Sequence, residues 1–301
     1  MTQPHLHKDI AHPAVIAHRG ASAYAPENTL AAFEKAIEMG ADWLELDCRL
    51  TRDGCLAVFH DNDTFRFNYQ HVPISELLMK DLRQVDVGSW YSPEFANERI
   101  SRLEDALELA SCRIGVYIEI KSAVDETPRI PDMLEVIEHT ADLSSWDWKL
   151  LLDAANRISA DSVVMALKVI EIMRAWQDRC QTVAQAFSPI MATIFRHHAP
   201  DLRFEFLGMD LEEPPNIWRD YVAFGKRIGV HGFNTNKESL SEERLRHFHD
   251  TGHSCAVWVV DEPEHIRQFA GYGVDAIISN RPDVCLETLT ENQSGLGVNP
   301  D

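Results

Sequence analysis

The stretch Ile16-Ala-His-Arg-Gly-Ala-Ser-Ala-Tyr-Ala-Pro-Glu-Asn-Thr29 decides how this chain is interpreted. The apolar residues 14–17 predict a buried strand, and this strand ends abruptly at His18-Arg19-Gly20. A helical pattern opens after Thr29. In α/β proteins, ligands bind beyond the carboxyl ends of the strands. An imidazole beside a permanent cation at such an end predicts chemistry on an anion, with phosphate as the first candidate.

Length, composition and charge restrict the class of protein. The chain has 301 residues, of which 45% are hydrophobic and 25% are charged, and its formal net charge is −20. This composition is typical of a globular protein, and the length suits one large α/β barrel of about 250 residues with insertions. The negative charge excludes a nucleic-acid backbone as a favoured partner. An anionic substrate would need locally placed cations or a metal.

The sequence predicts a cytoplasmic protein. No apolar run reaches the roughly 18 residues needed to span a bilayer, and residues 1–12 are polar without the apolar segment of a secretory signal. The six cysteines show no CxxC spacing, which favours free thiols. The sequence leaves the oligomeric state open, with a homodimer as the candidate form.

Strand-like and helix-like segments alternate along the whole chain, which predicts a parallel sheet covered by helices. The candidate strands are 14–18, 42–50, 55–60, 115–121, 182–187, 204–209, 229–234, 255–260 and 275–279. The turn Thr51-Arg-Asp-Gly54 leaves no room for a crossover helix between the second and third candidates. These two therefore predict a hairpin-like excursion, and eight strands remain for a TIM (β/α)8 barrel in a single domain, 1–301.

Two segments are interpreted as insertions into this barrel. A smaller one covers 62–100, after the second strand region, and a longer helical one covers 123–158, after the strand that carries Glu119 and Lys121. A helix capped by Ser159 is expected to follow to about residue 177, with Val164 on its apolar side. The tail 291–301 predicts disorder.

Charged residues interrupt two strands that should be apolar on both faces. Glu45 and Asp47 share one face of their strand, and Glu119 and Lys121 share one face of theirs. Buried carboxylates need a cation, so three converging acids imply a metal or a lysine. Oxygen ligands suit one divalent ion, Mg²⁺ or Ca²⁺. The alternative is a buried salt-bridge network that pairs Glu119 with Lys121 and Glu45 with Arg19.

A second histidine strengthens the metal interpretation. His60 follows an apolar run, as His18 does, and Asp61 comes next. Two histidines at strand ends beside a carboxylate cluster would form a general acid and base pair for displacement at phosphorus. The metal and Arg19 or Lys121 would hold the non-bridging oxygens. Trp258, in another buried strand, is equally consistent with core packing and with lining the pocket mouth.

Taken together, these residues resemble the glycerophosphodiester phosphodiesterases, which share a TIM-barrel superfamily with the phosphatidylinositol-specific phospholipases C. The resembling motifs span nearly the whole chain in the family's order. They are His18-Arg-Gly20, Pro26-Glu-Asn-Thr29, Glu45-Leu-Asp47, Thr51-Arg-Asp-Gly54, His60-Asp61, Gly88-Ser-Trp90, Leu103-Glu-Asp-Ala106, Glu119-Ile-Lys121, Trp258 and Ile278-Ser-Asn-Arg-Pro282.

The resemblance implies hydrolysis of a small-molecule glycerophosphodiester to glycerol 3-phosphate and an alcohol. It implies that two histidines form the acid/base pair, that three carboxylates bind the metal, and that three further residues contact the substrate. By this resemblance, the acid/base pair is His18 and His60, and the metal ligands are Glu45, Asp47 and Glu119. The substrate contacts are Arg19, Lys121 and Trp258, with Trp258 near the glycerol. The segment 62–100 matches the family's small insertion.

Other functions remain open at this point. One is a lysophospholipase D, or a lyase that makes a cyclic phosphate from a lipid substrate. Another is a non-catalytic binding protein on the same barrel, and a third is a glycosidase that uses paired carboxylates. The two histidines and Arg19 fit phosphate better than a sugar. The residues do not indicate which histidine is the acid or which alcohol is preferred.

Overall fold

The structure is a computed structural model. It describes residues 12–68, 71–140, 142–211 and 216–294. The polar N-terminal residues before His12 and the last part of the predicted tail, 295–301, lie outside the described residues. None of the helices within the described ranges combines the length and the apolar character that crossing a bilayer requires.

Nine strands form one sheet whose first and last barrel strands are joined. Their bounds are Ala14–Ala17 (β1), Trp43–Leu50 (β2), Leu56–Val58 (β3), Gly115–Ile120 (β4), Thr182–Ala186 (β5), Phe204–Gly208 (β6), Gly232–Asn236 (β7), Ser254–Trp258 (β8) and Ala276–Ser279 (β9). Parallel pairing runs from β1 through β2, β4, β5, β6, β7, β8 and β9, and β9 pairs again with β1. The predicted TIM barrel of eight parallel strands is confirmed.

The remaining strand, β3, is the predicted hairpin-like excursion. It pairs antiparallel with the end of β2, with Cys48 opposite Val58. One predicted strand is displaced: residues 229–234 were expected, whereas β7 begins at Gly232. Gly229 adopts a left-handed conformation with φ of 74° and ends the helix that precedes β7. Residues 229–231 therefore connect this helix to the strand.

Twelve α-helices complete the described part of the chain. Their bounds are Leu30–Glu38 (α1), Phe65–Asn68 (α2), Met79–Leu82 (α3), Leu103–Ala110 (α4), Ile130–Glu135 (α5), Ser145–Ile158 (α6), Ala160–Trp176 (α7), Pro189–His198 (α8), Ile217–Ile228 (α9), Glu242–Asp250 (α10), Pro263–Tyr272 (α11) and Pro282–Ser294 (α12). Because α12 continues to Ser294, the prediction of disorder is wrong for 291–294.

The two predicted insertions each contain two α-helices. The segment 62–100 contains α2 and α3, and the segment 123–158 contains α5 and α6, which pack on the helices that follow β6 and β5, respectively. Ser159 caps α7 as predicted, since its hydroxyl accepts a hydrogen bond from the backbone N–H of Ser162. The predicted apolar side is only partly right, because Val164 is 55% exposed.

A buried carboxylate joins the loop after β4 to two helix starts. Glu126 is 3% exposed, and its carboxylate accepts a 2.6 Å hydrogen bond from the hydroxyl of Ser162 in α7 and another from that of Ser188, the N-cap of α8. The amino ends of helices carry partial positive charge, which favours an anion there. Glu126 therefore fixes the loop after β4, five residues beyond Lys121.

We expect Glu126→Ala to lower the free energy of unfolding by about 2–3 kcal/mol, because the change leaves two buried hydroxyls without an acceptor. Urea denaturation followed by circular dichroism measures this loss. Glu135→Ala, at an exposed position of α5, is the control and should change stability by less than about 0.5 kcal/mol. Equal effects of the two substitutions would contradict a structural role of the buried carboxylate.

Candidate active site

The loop after β1 contains two consecutive residues with positive φ angles. Arg19 and Gly20 have φ angles of 56° and 80°, in the left-handed region that favours glycine. A Cβ at Gly20 would lie 2.6 Å from the backbone carbon of Ala32 in α1, so only glycine permits this close approach. The loop thereby turns back over the barrel, and the backbone N–H of Arg19 donates a 2.9 Å hydrogen bond to Glu45.

Three carboxylates meet at the carboxyl end of the barrel. Asp47 of β2 lies directly opposite Glu119 of β4 in the strand register, and Glu45 lies two residues earlier on the same face as Asp47. Each of the three offers an oxygen within 4.8 Å of the other two, and all three are buried. The structure therefore brings together the three acids that the sequence placed on two strands.

Asp47 is the most heavily contacted of these acids. Its carboxylate lies 3.1 Å from Arg19 Nε and 3.1 Å from Lys121 Nζ, and it accepts a 2.8 Å hydrogen bond from the side-chain amide of Asn28. Burial by itself raises the pKa of Asp47, but the charges of Lys121 and Arg19 outweigh it and hold the pKa below its usual value. Asp47 is therefore a carboxylate at neutral pH.

Glu45 has a different environment. It is 1% exposed, and its recorded partners are two neutral donors, the backbone N–H of Arg19 and the amide of Gln185 at 3.4 Å. No basic side chain of the described residues forms an ion pair with it. Burial, and then the neighbouring charges of Asp47 and Glu119, raise its pKa well above the usual value. The charged form of this group thus needs a further cation.

Lys121 forms one of the two ion pairs of the alternative salt-bridge network. Its ammonium pairs with Glu119 and with Asp47. The other half of that alternative is not formed, since the guanidinium of Arg19 contacts Asp47 and Glu27 instead of Glu45. Lysine pairing therefore accounts for two of the three acids and leaves Glu45.

His18 contacts the strand β9. Its Nδ1 lies 2.7 Å from the side-chain oxygen of Asn280, whose amide group donates to Asp261 at 2.7 Å. Burial, followed by the charge of Arg19, lowers the pKa of His18 to about 4. At neutral pH, His18 is therefore an uncharged imidazole that can accept a proton.

His60 lies at one end of a series of polar side-chain contacts that reaches Arg19. Its Nδ1 lies 2.9 Å from Asp61, whose carboxylate contacts Arg66 Nε at 3.0 Å. Arg66 also contacts Glu27 at 2.7 Å, and Glu27 contacts Arg19 at 3.2 Å. This chain links the surroundings of His60 to the guanidinium beside Asp47.

Trp258 ends β8 and packs against the barrel interior. Its ring meets that of Phe187 edge to face, with 5.7 Å between the centroids, and its indole nitrogen has no hydrogen-bond partner within the described residues. Phe187 is only half-buried and stands beside Trp258. The core packing of Trp258 is confirmed, and its role at the pocket mouth stays a prediction.

Sequence reasoning missed several residues of this site. Gln185 and Asn234 lie inside the barrel and are hydrogen-bonded to each other at 2.8 Å, which connects Asn234 to Glu45 through Gln185. Glu45 and Asp47 were recognised because polar residues are unexpected in a buried parallel strand. The same rule would have identified Gln185 and Asn234. Arg66 gave no such signal, because it lies outside the barrel strands, and Asn280 was part of a resembling motif without a role of its own.

Comparison with known proteins shows the family of this chain. Residues 18–284 match the model of the glycerophosphoryl diester phosphodiesterase family. The chain belongs to this family. Over 277 residues it is 27% identical to a glycerophosphodiester phosphodiesterase from Caldanaerobacter subterraneus subsp. tengcongensis, and the match covers 91% of this chain and 97% of that protein. It is 46% identical to YhdW of Bacillus subtilis over 107 residues, which are 36% of this chain and 44% of that protein.

A solved structure shares the fold. The phosphodiesterase of Oleispira antarctica, whose structure contains the product sn-glycerol-3-phosphate, superimposes with a TM-score of 0.68 at 21% identity and covers 93% of this chain and 97% of that one. The predicted resemblance to glycerophosphodiester phosphodiesterases is therefore confirmed, and the chain is an enzyme of this class.

Proposed function

We propose that this phosphodiesterase hydrolyses glycerophosphodiesters to glycerol 3-phosphate and an alcohol, with a divalent metal ion and two histidines. The observation that carries the proposal is the cluster at the carboxyl end of the barrel. There, three buried carboxylates lie within 4.8 Å of one another, beside Arg19 and Lys121. His18 and His60 follow the strands β1 and β3, which both pair with β2.

The residues fit a hard divalent cation. Glu45, Asp47 and Glu119 would hold the ion through oxygen atoms, the donors that Mg²⁺ and Ca²⁺ prefer. Glu45 supports this assignment, because it is buried and has only neutral donors as partners. When bound, such an ion would polarise a phosphoryl oxygen and neutralise charge that develops on it.

The protein groups supply binding and proton transfer. Arg19 and Lys121 hold the non-bridging phosphate oxygens, and the unused indole N–H of Trp258 is a donor for the glycerol side. One histidine takes the proton of the attacking water while the phosphorus–oxygen bond forms, and the other donates a proton to the leaving alkoxide as its bond to phosphorus breaks. Cytoplasmic location is part of the same proposal.

A second candidate, hydrolysis of a lysophospholipid, is favoured by exposed apolar side chains. Phe65 and Trp90, in the segment 62–100, are 41% and 51% exposed, and Val124 is 66% exposed. The ring of Trp90 lies 5.6 Å from the guanidinium carbon of Arg66, which connects it to the His60 side of the site. Apolar groups at the rim of a site suit an acyl chain.

The experiment that tests both candidates compares glycerophosphocholine with lysophosphatidylcholine, using metal-stripped protein with and without added Mg²⁺ or Ca²⁺. We expect glycerophosphocholine to be hydrolysed, with turnover lost in the stripped protein and restored by one of the two ions. Phosphorus NMR should show glycerol 3-phosphate and no cyclic phosphate.

Each alternative has its own outcome in this experiment. Full activity after stripping would contradict the role of the metal. Preference for the lysophospholipid would favour the second candidate, and a cyclic product would favour a lyase. A His18→Ala variant with wild-type turnover would contradict the role of His18.

A further inference from the structure

We propose that Asn280 and Asp261 are positioning residues that hold His18 in one tautomer and thereby make it the general base of the reaction. This inference rests on the proposed function and deepens it, because it assigns the two proton-transfer roles. It starts from the surroundings of Asp261, whose carboxylate accepts three hydrogen bonds. The donors are the Ser279 hydroxyl at 2.8 Å, the Asn280 backbone N–H at 2.7 Å and the Asn280 side-chain N–H at 2.7 Å.

These bonds determine which way the Asn280 amide points. A carboxylate has no proton to donate, so the group that faces Asp261 has to be the amide nitrogen. The amide oxygen consequently faces the other way. There it lies 2.8 Å from the hydroxyl of Ser22 and 2.7 Å from Nδ1 of His18.

The amide oxygen in turn determines the tautomer of His18. An amide oxygen only accepts hydrogen bonds, so Nδ1 of His18 has to carry a proton and donate it. In the neutral imidazole, Nε2 then holds the free electron pair. His18 thus presents a proton acceptor to the site, and an uncharged amide partner does not favour the imidazolium as a carboxylate would.

His60 has the opposite kind of partner. Its Nδ1 faces the carboxylate of Asp61 at 2.9 Å, and since a carboxylate only accepts hydrogen bonds, this contact keeps a proton on Nδ1 and leaves Nε2 as the nitrogen that exchanges a proton. In the reaction, Nε2 of His18 takes a proton from water as the oxygen bonds to phosphorus. Nε2 of His60 gives its proton to the leaving oxygen as that oxygen separates from phosphorus. The two histidines then return to their starting states by exchange with solvent.

The first test reads the tautomer directly in the wild-type protein. Long-range nitrogen–proton correlation of protein labelled with ¹⁵N-histidine, assigned with a His18→Gln variant, should show Nδ1 protonated and Nε2 unprotonated at neutral pH. The opposite tautomer would overturn the proposal. This measurement is independent of turnover, so it remains decisive even if glycerophosphodiesters prove not to be the substrate.

The second test uses kinetics with glycerophosphocholine. Asn280→Ala should lower kcat by about 10- to 100-fold, the usual cost of losing a partner that orients a catalytic group, with little change in KM. Asn280→Asp retains an acceptor for Nδ1 and should recover part of this loss. Asn236→Ala is the control, because Asn236 ends β7, which does not pair with β9, and within the described residues its side chain accepts a hydrogen bond only from the Ser239 backbone.

The two kinds of result separate a positioning role from a structural one. A change in the His18 nitrogen signals of a folded Asn280→Ala protein would accompany the fall in kcat if the amide sets the tautomer. Wild-type kcat and unchanged nitrogen signals in that variant would overturn the proposal. If Asn280→Ala does not fold, the nitrogen signals of the wild type decide the question by themselves. Absence of diesterase activity in the wild type would instead contradict the proposed function.

Discussion

His60→Ala should slow the hydrolysis of glycerophosphocholine by about 10²- to 10⁴-fold, the usual contribution of a general acid. The loss should be much smaller with a p-nitrophenyl phosphodiester of glycerol, because p-nitrophenolate leaves without being protonated. The reason is the proposed role of His60 as the group that gives its proton to the leaving oxygen. Steady-state kinetics with the two substrates measures the difference.

His18→Ala is the matched comparison for this prediction. A missing general base affects the attacking water and not the leaving group, so His18→Ala should slow both substrates by similar factors. If His60→Ala slowed both substrates equally and His18→Ala spared the activated one, the two roles would have to be exchanged.

Asp47→Asn should abolish most of the activity, with a fall in kcat/KM of about 10³-fold or more. Asp47 is fully buried and faces both Arg19 and Lys121 at 3.1 Å. A neutral amide of the same shape removes the charge that these two cations share, together with one of three oxygen ligands for the metal. Kinetics and isothermal titration of the stripped protein with Mg²⁺ and Ca²⁺ measure both losses.

Asp153→Asn controls for the loss of one acid in a strongly negative protein. Asp153 lies in α6, its side chain is 52% exposed, and it pairs with Lys149 at 3.5 Å, a surface contact of about 0–1 kcal/mol. This variant should keep the metal affinity and the activity of the wild type. An Asp47→Asn protein with wild-type turnover and unchanged metal affinity would contradict the assignment of Asp47.

The sequence by itself determined the barrel and most members of the site. Strand and helix patterns alternate with clear turn signals, and Thr51-Arg-Asp-Gly54 separated the β3 excursion from the eight barrel strands. Glu45, Asp47 and Glu119 stood out because charges in strands buried on both faces are costly without a partner. These signals are local or periodic, so a single sequence contains them.

Element boundaries and buried helix faces were less well determined. The strand expected at 229–234 begins at Gly232, because Gly229 adopts a left-handed conformation that ends α9. Val164 lies on the exposed side of α7, although its spacing suggested an apolar side. Packing against neighbouring elements decides such details, and it outweighs the preference of single residues.

Only the tertiary structure decided how the site residues are connected. Asn280 is 262 residues from His18 in the chain, yet its amide oxygen lies 2.7 Å from that imidazole. Arg66 meets Glu27 across 39 residues. The first pair forms where β9 pairs with β1, the second where α2 meets the loop after β1, and no local pattern encodes either of them. The sequence therefore named the two histidines, and only the closed barrel brings His18 against the Asn280 amide, because residues this far apart in the chain meet where β9 pairs with β1.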